Sequence, residues 1–182
     1  MRDELRNIRI VFDDENAGHD STFYNRSMLS TLLALLAPVL FAVATPHITM
    51  TTSMSGAPGA TVAPGASVKL FVDVIPDAKI HVYAPGAKDY LPVALELSGV
   101  PASVRVGKLN YPPSKDWYFE PTKEHVPTYQ AAFRLTQDLT IRPTAKSGET
   151  VTLQGVFKYQ ACDDTTCYNP VNAPVSWTVK IR

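Results

Sequence analysis

Residues 68–75 read Val68-Lys69-Leu70-Phe71-Val72-Asp73-Val74-Ile75, with valine or leucine at every second position. A repeat of two is that of an extended strand with one strongly apolar face, because successive side chains of a strand point to opposite sides. Working outward, 80–84, 93–98, 103–109, 128–136, 150–160 and 175–181 read as further strands, nearly all bounded by Pro, Gly, Asp or Asn. No segment beyond the leader carries an amphipathic helical period of useful length. About seven short strands in roughly 115 residues fit a two-sheet sandwich better than a closed barrel. The expected fold is therefore all-β, an immunoglobulin-like β-sandwich.

The chain of 182 residues is long enough for one domain of ordinary size once a leader is set aside. Residues 29–44 form an uncharged apolar run containing Pro38 and ending in Ala42-Val43-Ala44, a small-x-small cleavage signature. The run is short for a membrane span, which needs about 20 residues. The reading is a signal peptide over 28–44 and export to the periplasm or an equivalent compartment, with a retained N-terminal anchor as the weaker option. Residues 1–27 carry four basic and six acidic residues, the wrong balance for a signal n-region, and are expected to be disordered or a mis-assigned leader. Residues 45–66, rich in Thr, Ser, Ala, Gly and Pro, read as a linker, and 67–182 as the folded domain. Beyond Ala44, 13 Lys/Arg against 11 Asp/Glu leave a net charge near +2 with no basic cluster, which argues against nucleic acid as a partner.

Cys162 and Cys167 are the only cysteines, separated by Asp163-Asp164-Thr165-Thr166. If antiparallel strands flank that turn, the two face each other at about 4.5–5.5 Å between Cα atoms, which suits a disulfide. An exported domain permits such a bond. Closing so small a loop limits the unfolded chain by only about 2 kcal/mol in the loop-entropy picture, so the pair is poorly placed as a staple and well placed for reversible chemistry. Asp163 and Asp164 raise the pKa of the adjacent Cys162 thiol, which argues against a strong oxidant and for a reductant or electron relay. Cys167, flanked by Thr166 and Tyr168, is expected to hold the larger thiolate fraction and to be the nucleophile.

Between Asn110 and Pro127 lie Pro112, Pro113 and Pro121 together with Trp117, Tyr118 and Phe119. Proline argues against strand and helix there, so the stretch reads as a long aromatic loop, either a functional lid or a cover for one end of the sandwich. His81 is expected to be an ordinary strand side chain and His125 a solvated loop residue. His47, Met50 and Met54 have donors that suit copper, but the spacing is loose. Two cysteines without a second ligand pair do not make a zinc site. No metal and no cofactor are expected, and no Ser-His-Asp or paired-carboxylate arrangement stands out.

The run Tyr159-Gln160-Ala161-Cys162-Asp163-Asp164-Thr165-Thr166-Cys167-Tyr168-Asn169-Pro170, followed by Pro174-Val175-Ser176-Trp177-Thr178-Val179, resembles the cysteine hairpin of the N-terminal domain of DsbD-type thiol:disulfide interchange proteins. Ile80-His81-Val82-Tyr83-Ala84-Pro85-Gly86, Leu91-Pro92-Val93 and Leu109-Asn110-Tyr111-Pro112-Pro113 resemble other parts of that family, so the resemblance covers roughly 66–182. It implies an exported immunoglobulin-like module, a component of a protein-disulfide reductase relay linked to cytochrome c biogenesis. Cys162 and Cys167 would be the redox pair, with Cys167 again the nucleophile. Trp117, Tyr118 and Phe119 would supply a cap over the cysteines, and Tyr83, Asp163 and Asp164 would modulate them. The implied electron donor is membrane-embedded or thioredoxin-like, the acceptors are exported disulfide-bearing or thioredoxin-like proteins, and the domain is expected to be monomeric. The sequence shows neither the family's multi-helix electron-transfer domain nor its terminal thioredoxin-like domain, so a separate protein is expected to supply electrons. Its inter-cysteine spacing is at the short end for the family. The competing expectation is a non-catalytic immunoglobulin-like binding module whose disulfide pins one hairpin.

Overall fold

A computed structural model describes residues 45–182 apart from 57, 58, 60, 121 and 122. The readings of 1–27 and 28–44 lie outside the described residues. The strands run β1 (Ile48–Met54), β2 (Thr61–Val62), β3 (Ser67–Pro76), β4 (His81–Tyr83), β5 (Ala94–Ser98), β6 (Val104–Asn110), β7 (Lys115–Phe119), β8 (Glu124–Tyr129), β9 (Phe133–Ile141), β10 (Thr150–Tyr159), β11 (Ala161–Cys162) and β12 (Val171–Ile181). Among the described residues there is no helix, and the all-β, immunoglobulin-like sandwich expected from the alternation is the architecture found.

Two four-stranded sheets, β1-β3-β9-β6 and β2-β12-β10-β5, face each other across the core. Their inward rows follow directly from the two-residue period. Val68, Leu70, Val72 and Val74 of β3 and Leu135, Leu139 and Ile141 of β9 meet Leu153 and Phe157 of β10 and Val175, Trp177 and Val179 of β12. Each such side chain, when fully buried, stabilises the fold by about 1.5–3 kcal/mol relative to exposure. Trp177 ties the layers together, its indole N–H donating to Ser53 O at 3.0 Å on the opposite sheet. Gly155 of β10 is glycine for a local reason: a Cβ there would lie 2.6 Å from Glu96 O of β5.

A third sheet, β11-β4-β8-β7, sits against the same core. Val82 pairs with Tyr129 of β8 and with Ala161 of β11, and all three belong to the core cluster. Because neighbours along a strand face opposite ways, the residues between them must face outward. That outward face carries the site.

Three expectations are corrected. Residues 45–66 are not a plain linker, since 48–54 pair along most of β3, from Ile48 opposite Pro76 to Met54 opposite Leu70. Ile48 is buried, and Met50 and Met54, partly buried, pack against the core. The stretch 128–136 is not one strand but the end of β8 and the start of β9, with the chain passing from the third sheet to the first at 130–132. The stretch between Asn110 and Pro127 is no structureless loop, because it holds the antiparallel hairpin β7–β8. Pro127 is tolerated inside β8 because it faces β4 where that strand ends. Its carbonyl accepts from Ala84 N at 2.9 Å, and the carbonyl of Ala84, which an N–H at position 127 would have served, is taken by Ala87 N–H at 3.2 Å, so the missing proline N–H orphans no partner.

Ile48 separates the two readings of the N-terminal segment by experiment. Ile48→Ala should lower stability by about 2 kcal/mol, the lower end for a buried isoleucine because β1 is an edge strand. The urea midpoint at constant m-value measures this. An unchanged midpoint would restore the linker reading.

Candidate functional site: a disulfide on the outer face of the third sheet

Cys162 ends the two-residue β11, where it stands opposite His81 of β4. The chain then turns through Asp163-Asp164-Thr165-Thr166, and Cys167 returns opposite Cys162 as an antiparallel bridge partner, 4.1 Å away between Cα atoms and disulfide-bonded. The turn is shaped by its own hydrogen bonds. Asp163 N donates to Thr166 O and Tyr168 N to Ala161 O, both at 2.9 Å. The Asp163 carboxylate accepts from Thr165 N at 2.8 Å, Thr166 N at 2.7 Å and the Thr165 hydroxyl at 2.9 Å through Oδ1, and from the Tyr168 hydroxyl at 2.8 Å through Oδ2. These donors, led by the Thr165 N–H, hold the Asp163 carboxyl well below the usual carboxylate range.

The two sulfurs are not equivalent. Cys162 is 1 % exposed and clusters with Tyr83 and Val126, whereas Cys167 is exposed. The Tyr83 hydroxyl lies 3.6 Å from Cys167 Sγ, and since a disulfide sulfur carries no hydrogen, the phenol is the donor. Burial, with Tyr90 adding to it, pushes the Tyr83 pKa up to about 12, so the phenol keeps its proton over the range in which thiols titrate.

The ladder register decides which aromatics reach this face. His81 and Tyr83 of β4 share it with Thr128 and Val126 of β8, and through the Trp117–Val126 and Phe119–Glu124 pairs with Trp117 and Phe119 of β7. The Trp117 ring is 4.2 Å from the His81 ring, and Phe119 stacks on Trp117 at 5.1 Å. Tyr118 points the other way and is exposed, meeting His125, which itself pairs with Asp116. Of the three residues expected in the cap, two lie on the cysteine face and one does not. Asp163 shapes the turn, and Asp164 is exposed beside a cleft next to His81.

Sequence reasoning missed Tyr90, which stacks on Tyr83 at 4.3 Å and donates from its hydroxyl to Glu124 at 3.1 Å. It also missed Tyr168, which stacks on His47 at 3.8 Å while holding Asp163. The Tyr90–Tyr83 and Tyr168–His47 stacks join residues that only the fold brings together. His81 is packed rather than solvated, at 3 % exposure.

A disulfide-bonded cysteine pair, one residue buried and one exposed, on the rim of an immunoglobulin-like sandwich defines the class of domain. The chain belongs to the family of the N-terminal domain of the thiol:disulfide interchange protein DsbD, which matches residues 57–176. Among solved structures it is similar to the reduced N-terminal domain of DsbD from Neisseria meningitidis, at 16 % identity over 66 % of this chain and 82 % of that one, TM-score 0.42. It is also similar to the N-terminal periplasmic domain of ScsB from Proteus mirabilis, at 10 % identity over 75 % of this chain and 47 % of that one, TM-score 0.47. Comparison with curated proteins gives no match. Among the described residues no helix is long and apolar enough to cross a membrane.

The Asp163 carboxyl has a pH signature. A carboxyl whose pKa is lower folded than unfolded contributes stability that is present above about pH 4 and lost as the pH falls through the lower folded value. Asp163→Ala should therefore lower the Tm at neutral pH, by an amount that shrinks steadily as the pH is taken below about 4. A difference that stays constant across that range would show that the turn's hydrogen bonds do not act through the carboxylate.

Proposed function

We propose that this is an exported thiol-disulfide exchange domain that relays electrons through Cys162 and Cys167. The observation that carries the reading is the asymmetry of the pair, with Cys167 open to a partner and Cys162 buried behind it. A donor thiolate would attack Cys167 Sγ, breaking the Cys162–Cys167 bond and leaving the electron pair on Cys162. A second donor thiol would displace Cys167 and complete the two-electron reduction. The reduced pair would then run the same steps in reverse on an acceptor disulfide. By family resemblance the donor is membrane-embedded or thioredoxin-like, the acceptors are exported disulfide-bearing or thioredoxin-like proteins, and the setting is the periplasm.

Energetics support reversibility. The bond closes a loop worth only about 2 kcal/mol. The turn's internal hydrogen bonds do not involve either sulfur, so the turn has a source of order besides the disulfide. Tyr83, neutral and aimed at Cys167, would stabilise a thiolate there. The second reading, a binding module with a structural hairpin disulfide, draws on the packing of Cys162 against Tyr83 and Val126.

The reduction potential separates the two, since structural disulfides fall below about −300 mV and exchange-active ones lie above. With Cys162→Ser, the remaining Cys167 should trap a mixed disulfide with an exported thioredoxin-like protein. Cys167→Ser should trap on the order of tenfold less, because its thiol is buried. Trapping through Cys162 alone would overturn the assignment of roles.

The cap has its own test. Trp117 covers His81 on the cysteine face, so Trp117→Ala should speed alkylation of reduced Cys162 several-fold while Tyr118→Ala leaves the rate unchanged. Equal effects of the two substitutions would mean that β7 shields the pair only through its backbone.

A further inference from the structure

Beside the disulfide lies a cleft of about 180 Å³ lined by Lys79, Ile80, His81, Trp117, Gln130 and Asp164. Lys79 and Asp164 in that lining are exposed, but His81 is 3 % exposed, and its Nε2 is buried without a hydrogen-bond partner among the described residues. A buried polar atom left unpaired is destabilising and calls for an explanation. The ladder supplies one. Cys162 stands directly opposite His81, which puts the two Cβ atoms about 4.5–5.5 Å apart on the same face. In the disulfide, the Cys162 sulfur has no hydrogen to offer; as a thiol it becomes a donor. The nitrogen lacks a partner in the oxidised state and gains a candidate one on reduction.

We propose that His81 is the proton acceptor for the Cys162 thiol when that sulfur resolves a mixed disulfide. The inference rests on the exchange reading above and assigns a step within it. With Cys167 Sγ bonded to a partner sulfur, His81 takes the proton from Cys162 S–H. The freed electron pair attacks Cys167 Sγ, the Cys162–Cys167 bond forms, and the bond from Cys167 to the partner sulfur breaks. The partner sulfur leaves with that electron pair as a thiolate, so the domain's thiols are oxidised as the partner's disulfide is reduced. The proton then returns to water through the cleft.

The surroundings suit a base. Burial lowers the His81 pKa, with Asp164 and Asp163 pulling the other way, so the imidazole is neutral at neutral pH. The remaining groups around it are Lys79 ahead of β4, Tyr83 on the same strand and kept neutral by its raised pKa, Lys115 on the same face of β7, and the uncharged Trp117 and Gln130.

The reduced protein, mixed with dithiobis-nitrobenzoate, should release the coloured thiolate twice, first when Cys167 attacks the reagent and again when Cys162 resolves the adduct. Cys162→Ser should release it once. His81→Gln should slow the second release on the order of a hundredfold near neutral pH and leave the first within about twofold. In the unmodified protein the second rate should rise with pH and level off once His81 is neutral, which requires no variant to fold. A second release that is unaffected by His81→Gln at every pH, or that climbs through pH 8 in the unmodified protein without levelling, would overturn the proposal. A low reduction potential accompanied by the full His81 effect would count against the exchange function alone.

Discussion

The pairing of β11 with β4 is the constraint on which the site depends. It is only two residues long, Ala161 opposite Val82 and Cys162 opposite His81. Because adjacent residues of a strand face opposite ways, this one ladder step fixes two things at once. Ala161 and Val82 are driven into the core of the sandwich, and that burial turns Cys162 and His81 outward. A slip of one residue would put the cysteine into the core and the alanine on the outer face, so the hydrophobic core itself sets the register of the cysteine pair.

The same alternation runs across the third sheet. Tyr129 of β8 goes inward with Val82, its hydroxyl donating to Pro112 O at 2.9 Å, while Thr128 and Val126 go outward with Tyr83. On β7 the rule brings Trp117 and Phe119 to the cysteine side and sends Tyr118 away. The outcome is a face whose ionisable groups nearest the sulfurs are held uncharged: burial raises Tyr83 and lowers His81. Negative charge sits beside this face in the turn, where backbone and hydroxyl donors satisfy Asp163, and both Asp163 and Asp164 act on His81 against the effect of its burial.

Legibility from sequence followed the strength of local signals. β3, β10 and β12 were readable because their apolar residues alternate without interruption, and that was enough for the fold class. β1 was missed because Thr and Ser fill its outward positions, yet Ile48, Met50 and Met54 keep the period of two and pair opposite the core residues of β3. β7 and β8 were missed because proline was weighed as a breaker, when Pro127 lies where the neighbouring strand has ended. The cysteine pair was readable from its spacing and from family resemblance. The surroundings that give it chemical asymmetry were not, since Tyr83, Tyr90, Val126 and His81 meet the cysteine pair only after the chain has returned from elements far away in sequence, 84 residues for Tyr83 and Cys167.

That division also sets the disulfide apart from the core that holds the fold together. The sandwich core is built by the long strands, which bury their rows of Val, Leu, Ile and Trp with no contribution from sulfur. The hairpin bearing the cysteines is attached to that core through Ala161 and shaped by the hydrogen bonds of Asp163. Breaking the disulfide removes a constraint of about 2 kcal/mol from a loop that already has its conformation set by other means. The disulfide therefore lies on the outer face of one small sheet, with Cys167 exposed and Cys162 held against β4.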